Sequence, residues 1–318
     1  MLDITKNEIC NLLKSKVLID EPLKKHTTFG VGGAAALFIY PYDISDLKVV
    51  LKYCSKNNIK TFFMGSGSNL LVSDNGFDGV VICLRKSFKD FEFNDSLEAK
   101  IGTGVMLGHI VRTLTKNSVQ GLESLIGVPG TLGGALIMNA GAYGSEISNY
   151  LVNIRSISLD GKEKTYYKED IDFSYRYSSI PRDEIVVEAN FKFRIGDLGE
   201  IKIQKEKASQ SRRKNQPLQF RSAGSIFKNP NTNTAAGYLI DQANLKGMKI
   251  GDAEISKKHA NFIINNGNAS SDNILQLIKI IKKEVLSKFK INLELEVKLM
   301  GFNSAELKGV AWIKAQLV

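Results

Sequence analysis

Apolar and polar residues along the first quarter of the chain follow two periods. An apolar run at residues 36–40 predicts a buried strand, and residues 47–54 predict a helix with apolar side chains on one face. Strands are also predicted at residues 59–64 and 79–84, separated by glycine-rich and turn-forming residues. The pattern therefore indicates a small unit in which helices and strands alternate.

The middle of the chain continues this mixture. A strand is predicted at residues 97–102 and a helix at residues 107–116. Residues 154–167 predict a β-hairpin, because two strand-like runs flank the Asp160-Gly161 turn. Residues 185–193 alternate in the manner of a further strand.

The pattern changes near residues 196–199, where strand-like segments give way to a basic helix that ends before Pro217. This change predicts a domain boundary and a second fold unit. A final strand is predicted at residues 293–299, where apolar and charged residues alternate. The other elements predicted in the second unit are a helix at residues 235–244, a strand at residues 261–265 and an amphipathic helix capped by Ser271 and Asp272.

The composition is typical of a soluble globular protein, with 43% hydrophobic and 24% charged residues. The length of 318 residues accommodates about two domains. Acidic residues near the N-terminus do not fit a signal peptide, and the most apolar long window, at residues 128–142, is interrupted by glycines. We therefore expect a cytoplasmic protein without a membrane span.

The net charge of +10 and the pI of about 9.3 favour a polyanionic partner, such as nucleic acid, a membrane surface or a phosphate-bearing small molecule. The densest basic run, at residues 202–214, also contains acids and predicts a solvated helix face. Cys10, Cys54 and Cys83 match neither a disulfide framework nor a metal or redox pair, so we expect reduced thiols. No metal site is predicted, because the sequence lacks paired histidine and cysteine ligands.

Three glycine-rich loops are candidates for phosphate binding, because backbone N–H groups approach a pyrophosphate most closely where no Cβ intervenes. Residues 30–35 fit G-x-G-x-x-A but lack the preceding apolar strand of a Rossmann fold. Residues 65–70 follow a strand but lack the next helix and the Gly-Lys-Ser/Thr of a Walker loop. Each loop alone predicts a tight turn. Together, the loops at residues 65–69 and 127–144 favour an extended dinucleotide on a non-Rossmann scaffold.

Seven motifs in a fixed order carry a resemblance that spans about residues 20–302. They are HTTFGVGG (26–33), MGSGSNLL (64–71), GVPGTLGGALIMNAGAYG (127–144), FSYRYS (173–178), SAGSIFKNP (222–230), KHANFIIN (258–265) and LELEV (293–297). With this set the chain resembles the UDP-N-acetylenolpyruvoylglucosamine reductases, the flavoenzymes of peptidoglycan precursor synthesis.

The resemblance implies an α+β fold. An FAD-binding domain of the vanillyl-alcohol-oxidase (PCMH) type, in two subdomains, would precede a C-terminal α/β substrate-binding domain. The short connection between Arg176 and the strand near residue 185 resembles the subgroup that lacks an extra substrate-covering loop. The implied limits are an N-terminal helix at 1–20, the FAD-binding domain at 21–196 (subdomains about 21–85 and 86–196), the substrate-binding domain at 197–302 and a tail at 303–318.

The resemblance also implies an activity, the NADPH-dependent reduction of UDP-N-acetylglucosamine enolpyruvate to UDP-N-acetylmuramate through non-covalent FAD. The implied partners are these two small molecules, without nucleic acid or a membrane, and a monomer is expected. The residues matched as catalytic are Arg176, Ser225 and Glu296. Those matched as FAD-binding are Gly65, Ser66, Gly67, Ser68, Asn69, Leu70, Gly127, Pro129, Gly130, Thr131, Gly133, Asn139, Gly141 and Tyr143. Those matched as substrate-binding are Lys228, Asn229 and His259, with the basic run near Arg213 as a further candidate for the diphosphate.

The catalytic residue types suit this reaction. Hydride addition to the enolpyruvyl group leaves negative charge on the carboxylate-bearing carbon, which Arg176 and Glu296 would stabilise. Ser225 would then give that carbon a proton. Considered singly, the three residues also fit a stacked surface arginine, a turn serine and a solvent-facing carboxylate.

Two other functions stay open on the residues alone. Another FAD-dependent dehydrogenase or oxidase would keep the glycine loops without the catalytic set, and a basic nucleic-acid-binding protein would bind DNA or RNA and lack a flavin colour. His26 and His109 are expected to be structural. Gly30 stands where related sequences usually carry a basic residue, and the tail at 303–318 extends past the usual end of the family.

Overall fold

A computed structural model describes residues 3–231 and 233–310, with side chains from residue 6 onwards. The chain divides into two compact units, each built from three separate segments. Within the described residues, unit 1 comprises residues 3–19, 36–66 and 79–211, and unit 2 comprises residues 20–35, 67–78 and 212–310 without residue 232.

The elements follow one another along the chain in a mixed order. The helices are α1 (Asp3–Leu12), α2 (Ile44–Lys56), α3 (Leu107–Lys116), α4 (Leu132–Ile137), α5 (Leu198–Asn215), α6 (Ala236–Gln242) and α7 (Ser271–Phe289). The strands are β1 (Val17–Pro22), β2 (Ala34–Ile39), β3 (Thr61–Met64), β4 (Leu70–Val72), β5 (Phe77–Cys83), β6 (Phe91–Phe93), β7 (Glu98–Gly102), β8 (Val119–Gln120), β9 (Gly141–Ala142), β10 (Ser145–Glu146), β11 (Leu151–Ser158), β12 (Glu163–Tyr167), β13 (Phe173–Ser174), β14 (Tyr177–Ser178), β15 (Glu184–Lys192), β16 (Arg194–Ile195), β17 (Lys249–Ile250), β18 (Ala253–Ile255), β19 (Ile263–Asn265) and β20 (Lys298–Met300).

Unit 1 contains two larger sheets. The first has the strand order β1-β2-β5-β3, with β3 and β5 parallel, and its core includes Leu47, Val50 and Leu51 from the apolar face of α2. The second has the order β12-β11-β15-β7-β6 with antiparallel neighbours throughout. Its core includes Ile110 and Leu114 of α3. Removing these apolar faces from water is the main stabilising contribution to the unit.

Unit 2 has its core between α7 and a small antiparallel sheet with the order β17-β18-β19. The N-terminus of α7 is a capping box: the Ser270 hydroxyl accepts a hydrogen bond from the Asn273 N–H, and the Asn273 side chain accepts one from the Ser270 N–H. Asp74 and Ser271 also exchange backbone-to-side-chain hydrogen bonds, of 2.7 and 2.9 Å, which hold a distant segment at this helix end.

Residues 67–78 belong to unit 2 although more than a hundred residues separate them from its main segment. The reason is the parallel pairing of β4 with β20, in which Leu70, Leu71 and Val72 lie opposite Lys298, Leu299 and Met300. A division at single points along the sequence does not describe such an interleaved arrangement. The domain limits at residues 21, 85, 196 and 302 stay predictions.

The C-terminal strand differs from its prediction over residues 293–299. The regular strand is only β20, because residues 293–297 form no strand: they contain an isolated bridge between Leu295 and Phe227, and the backbone bends at Val297. The predicted alternation is confirmed: Leu293, Leu295, Val297 and Leu299 are buried and Glu294 is exposed. The predicted helix cap is displaced by one residue, to Ser270.

Part of the predicted C-terminal tail contributes to the core of unit 2. Leu307 and Val310 are each 2% exposed and pack with the apolar residues of that core. Residues 311–318 lie outside the described part of the chain. None of the described helices combines the length and the apolar character that a bilayer span requires.

Candidate active site

The glycine-rich loop that precedes α4 in unit 1 is held by backbone hydrogen bonds to residues 103–107. The carbonyl of Gly130 accepts from the Leu107 N–H at 2.9 Å. On the other side of Thr131, Leu132 donates to Val105 at 2.8 Å and Gly133 donates to Thr103 at 3.0 Å. The loop is therefore fixed by its backbone, and Gly127 and Pro129 at its start remain exposed.

Gly65 lies directly against this loop. It follows β3, and a Cβ built on it would come within 2.6 Å of the Thr131 hydroxyl. Thr131 is 2% exposed and caps α4, so its side chain has little room to move. The start of the first glycine-rich loop, at Gly65, therefore meets the second loop, at Thr131, inside unit 1 and at a contact that only glycine permits.

Asn139 follows α4 within the glycine-rich segment at residues 127–144, and its side chain is completely buried. Its Nδ2 donates to the Glu146 carboxylate at 2.6 Å and to the Ser174 carbonyl at 3.2 Å. Its Oδ1 has no hydrogen-bond partner among the described residues. Asn139 also has a φ of +40°, in the left-handed region. A buried, unpaired acceptor at a strained position is typical of a ligand site.

Arg176 occupies the tight turn between β13 and β14, where its φ of +57° is uncommon for a residue with a side chain. The guanidinium donates to the Gly141 carbonyl at 3.2 Å and lies 4.9 Å from the centre of the Tyr175 ring. The Arg176 side chain is half-buried, and these two contacts hold its guanidinium in place. This arrangement suits a cation that must hold one position, and such strain is frequent at functional sites.

Tyr143 forms the turn between β9 and β10 together with Gly144, and both residues have positive φ. Its ring is 68% exposed, and its hydroxyl donates to Ser211 at 2.8 Å. Of the FAD-binding residues expected from the sequence, Gly65, Ser66, Gly127, Pro129, Gly130, Thr131, Gly133, Asn139, Gly141 and Tyr143 lie in unit 1, and Gly67, Ser68, Asn69 and Leu70 lie in unit 2.

Ser225 and Glu296 are brought together within unit 2. The Ile226 carbonyl, one residue after Ser225, accepts the Glu296 N–H at 2.8 Å. Asn69 joins this contact because its side chain donates to the Glu296 carbonyl at 3.1 Å and its own carbonyl accepts from Lys298 at 3.1 Å. The third residue of the expected catalytic set, Arg176, belongs to unit 1.

Asn261 fixes the Ser225 segment from the other side, a role that the sequence did not indicate. Its backbone carbonyl accepts from Ile226 at 2.9 Å. Its side chain accepts from the Phe227 N–H at 3.0 Å and donates to the Phe227 carbonyl at 2.8 Å. Because Asn261 is 3% exposed, these bonds are shielded from water and hold the segment rigidly.

Asn229 and His259, expected to bind the substrate, lie at the N-terminal end of α6. The Asn229 side chain accepts the Ala236 N–H at 3.0 Å. A Cβ on Gly237 would lie 3.3 Å from the His259 ring, which also packs on Phe262. Burial lowers the pKa of His259, so the neutral imidazole is favoured.

The expected cations have defined neighbours. Lys228 lies 3.6 Å from the Glu294 carboxylate, and Lys258 donates to the Arg213 carbonyl at 2.7 Å. Arg213, Lys257 and Lys258 help to line an open groove of about 590 Å³ within unit 2. A groove with several cations is suited to a phosphate-bearing ligand.

Gly30, His26 and His109 lie outside the groups described so far, and each has a defined neighbour. A Cβ on Gly30 would come within 2.5 Å of the Arg221 guanidinium, so a basic group lies beside this position although residue 30 itself has none. His26 contacts Glu21 at 3.0 Å, and the His109 ring packs edge-on against Phe91. Both contacts agree with structural roles.

These residues fit a flavin dinucleotide. The close approach of two glycine-rich loops at Gly65 and Thr131 and the unpaired acceptor of Asn139 are compatible with an extended, hydrogen-bonding cofactor. A family model described as FAD binding domain matches residues 35–166. A second model, UDP-N-acetylenolpyruvoylglucosamine reductase, C-terminal domain, matches residues 216–300. Fold and site thus define an FAD-dependent oxidoreductase with an FAD-binding domain of the vanillyl-alcohol-oxidase type, as predicted.

Individual relatives agree over nearly the whole chain. The UDP-N-acetylenolpyruvoylglucosamine reductase of Clostridioides difficile is 40% identical over 300 residues, 94% of this chain and 98% of that protein. The reductase of Heliobacterium modesticaldum is 39% identical over 290 residues, 91% and 92% of the two chains. The crystal structure of the reductase (MurB) from Thermus caldophilus superposes with a TM-score of 0.77 at 32% identity, covering 90% of this chain and 99% of that one. The chain belongs to the UDP-N-acetylenolpyruvoylglucosamine reductase family, whose members act in peptidoglycan precursor synthesis.

Proposed function

We propose that this reductase converts UDP-N-acetylglucosamine enolpyruvate to UDP-N-acetylmuramate with NADPH as reductant, and that Arg176, Ser225 and Glu296 are its catalytic residues. The observation that carries the assignment is the 2.8 Å hydrogen bond from Glu296 to Ile226, because it brings Ser225 and Glu296 onto adjacent backbone. Membership of the reductase family supports the substrate. We further propose a monomeric, cytoplasmic enzyme that binds neither nucleic acid nor a membrane.

In unit 1, the proposed FAD-binding residues are those of the Gly65–Thr131 contact and of the segment from Asn139 to Tyr143. Their backbone N–H groups and small side chains suit a pyrophosphate, and Asn139 offers an acceptor. When bound, FAD supplies the hydride chemistry that no side chain provides. The protein's contribution is to bind, to orient and to stabilise charge.

Arg176 is proposed to stabilise the negative charge that develops on the carboxylate-bearing carbon of the substrate. Glu296 is proposed to assist with its carboxyl group protonated, because only the protonated form has an O–H that can donate a hydrogen bond to that charge. Arg176 suits this role because its guanidinium is fixed by Gly141 and Tyr175 before any substrate arrives. A preorganised charge stabilises the transition state without reorganising during the reaction. Glu296 is half-buried, and its backbone is fixed by Ile226 and Asn69.

Ser225 is proposed to donate its hydroxyl proton to that carbon. A hydroxyl is a weak acid, but a carbanionic carbon is a strong base, so a well-positioned serine can transfer its proton rapidly. Asn261 positions Ser225, because it forms hydrogen bonds with the two residues that follow it, Ile226 and Phe227.

For the sugar nucleotide we propose contacts from Asn229 and His259, with Lys228 and the groove beside Arg213 receiving the diphosphate. The cations of that groove have the charge that the diphosphate needs. Lys228 contacts the exposed carboxylate of Glu294, a pairing that an anionic ligand can replace.

An anaerobic two-step experiment tests the proposal. NADPH is expected to bleach the flavin band at about 450 nm, and UDP-N-acetylglucosamine enolpyruvate is expected to restore it. Bleaching without restoration by this substrate would contradict the substrate assignment and favour another FAD-dependent reductase. A colourless protein with salt-sensitive nucleic-acid binding would contradict the proposal as a whole.

A further inference from the structure

We propose that Glu146 is a positioning residue of this enzyme: its carboxylate orients the Asn139 amide so that Oδ1 accepts a hydrogen bond from an N–H or O–H group of bound FAD. The same Asn139 amide also donates to the Ser174 carbonyl, which connects the glycine-rich segment at residues 127–144 to the turn that carries Arg176. The inference rests on the FAD site and on the role of Arg176 proposed above. The sequence did not single out Glu146.

The orientation of the Asn139 amide follows from its two partners. A carboxylate at neutral pH and a backbone carbonyl both only accept hydrogen bonds. Glu146 at 2.6 Å and the Ser174 carbonyl at 3.2 Å must therefore both face the NH₂ group of Asn139. Rotating the amide by half a turn would place its oxygen against two acceptors. Glu146 thus determines which amide atom points away from it.

The atom that points away is a buried acceptor without a donor. Asn139 is 0% exposed, and none of the described residues donates to Oδ1. An unsatisfied buried polar atom carries an energetic cost, and the left-handed φ of +40° at Asn139 adds backbone strain. A donor on a ligand bound beside the glycine loop would remove the first cost. FAD has such donors on its flavin ring and its ribityl chain.

Asn139 also connects the cofactor loop to the catalytic arginine. Ser174, which accepts from Asn139, is two residues before Arg176. Arg176 donates to Gly141, and Gly141 lies opposite Glu146 in the pairing of β9 with β10. A Cβ on Gly141 would lie 2.7 Å from the Glu146 side chain, so no larger residue fits between them. These contacts form a closed ring within unit 1, and removal of Glu146 opens it.

The test is the affinity of the full-length apoprotein for FAD, measured by quenching of flavin fluorescence. For Glu146→Ala we expect the Kd for FAD to rise about tenfold, because the amide is no longer held in one orientation. Glu146→Gln keeps an acceptor oxygen, and its Kd is expected to stay within about threefold of wild type. Glu98→Gln, which changes an exposed carboxylate of β7 paired with Lys192, is the matched control and is expected to leave the Kd unchanged.

A second pair of variants separates orientation from folding. Asn139→Asp tolerates positive φ but places two carboxylates together, so we expect a Kd higher than that of Glu146→Ala. Adding Glu146→Gln restores a donor opposite the aspartate and is expected to recover part of the lost affinity. Failure of this rescue, or a wild-type Kd for Glu146→Ala, overturns the proposal. Wild-type protein that binds FAD but does not turn over the substrate contradicts only the proposed function.

Discussion

The thiol of Cys83, at the end of β5, donates a hydrogen bond to the carbonyl of Gly65 at 3.3 Å. Gly65 is the residue whose missing side chain allows the contact with Thr131. A buried cysteine of the first sheet therefore supports the turn that we assign to FAD binding. Cys83 is 2% exposed and Cys54 is 1% exposed, whereas Cys10 is only half-buried.

These burial differences predict the order in which the thiols react. Burial raises the pKa of each thiol, to about 11 for Cys54. At about pH 8 the Cys54 thiolate is then about a thousandth of the total, and the reagent must also enter the core. We expect iodoacetamide to label Cys10 in the native protein, and Cys54 and Cys83 only after denaturation. Peptide mapping by mass spectrometry measures this, and rapid native labelling of Cys83 would contradict the described packing.

Gly65→Ala is expected to weaken FAD binding. The new methyl group would lie 2.6 Å from Thr131 Oγ1, and Thr131 is buried and caps α4. Relief requires the turn to move, so we expect the Kd for FAD to rise about tenfold or more. Gly134→Ala is the matched control, because its methyl would lie 3.9 Å from the same oxygen, at an ordinary contact distance. Equal affinities of the two variants would show that the Gly65 contact is unimportant for the cofactor.

The sequence predicted those parts of the fold that depend on local patterns. The alternation at residues 293–299 identified the buried face correctly, and the period of α3 gave the bounds of that helix. Such patterns reflect which side of an element faces the core, and a residue's near neighbours decide this. The pairing of β4 with β20 has no local signal, because the two strands are far apart in the sequence. The side-chain hydrogen bond from Asn69 to the Glu296 carbonyl, just before the two strands, joins residues 227 positions apart.

The site shows the same division. The motifs predicted Ser225 and Glu296 as catalytic residues, and the hydrogen bond from the Glu296 N–H to the Ile226 carbonyl places their backbone segments side by side. They did not indicate Glu146 or Asn261, because the importance of both depends on partners in other segments. An acid in a short hairpin and an asparagine before a strand are ordinary in sequence. Only the three-dimensional contacts show that each orients a neighbouring group.

Arg176→Lys is expected to reduce turnover while leaving stability unchanged. Arginine and lysine both have a Cβ and a positive charge, so the positive φ at position 176 costs the same free energy in the wild type and in the variant. An ammonium cannot reproduce the planar fork that contacts Gly141 and stacks near Tyr175. We expect kcat to fall about a hundredfold or more and the melting temperature to change by less than about 2 °C. Near-normal turnover would remove Arg176 from the catalytic set.

Ser225→Ala is expected to separate the two halves of the reaction. Reduction of the flavin by NADPH needs no proton from Ser225 and is expected to keep its rate. Reoxidation by the enolpyruvyl substrate is expected to slow about 10²–10⁴-fold, the usual effect of losing a general acid. Stopped-flow absorbance measures both steps, with Ser222→Ala as a control in the same segment. Equal slowing of both steps would indicate a damaged fold or a different proton donor.

His259 is expected to make the stability of unit 2 depend on pH. Because burial lowers the pKa of His259 from its usual 6.5, the unfolded chain takes up this proton at a higher pH than the folded protein does. Stability from this residue is therefore fully present above about pH 6.5 and is lost as the pH falls from there through the folded pKa. Replacing His259 with glutamine removes the titrating group, so the variant is expected to lose less stability between about pH 7.5 and 5.5. Urea unfolding of the apoprotein at the two pH values measures the loss of unfolding free energy in each protein. Equal losses in wild type and variant would contradict a lowered pKa of His259 in the folded protein.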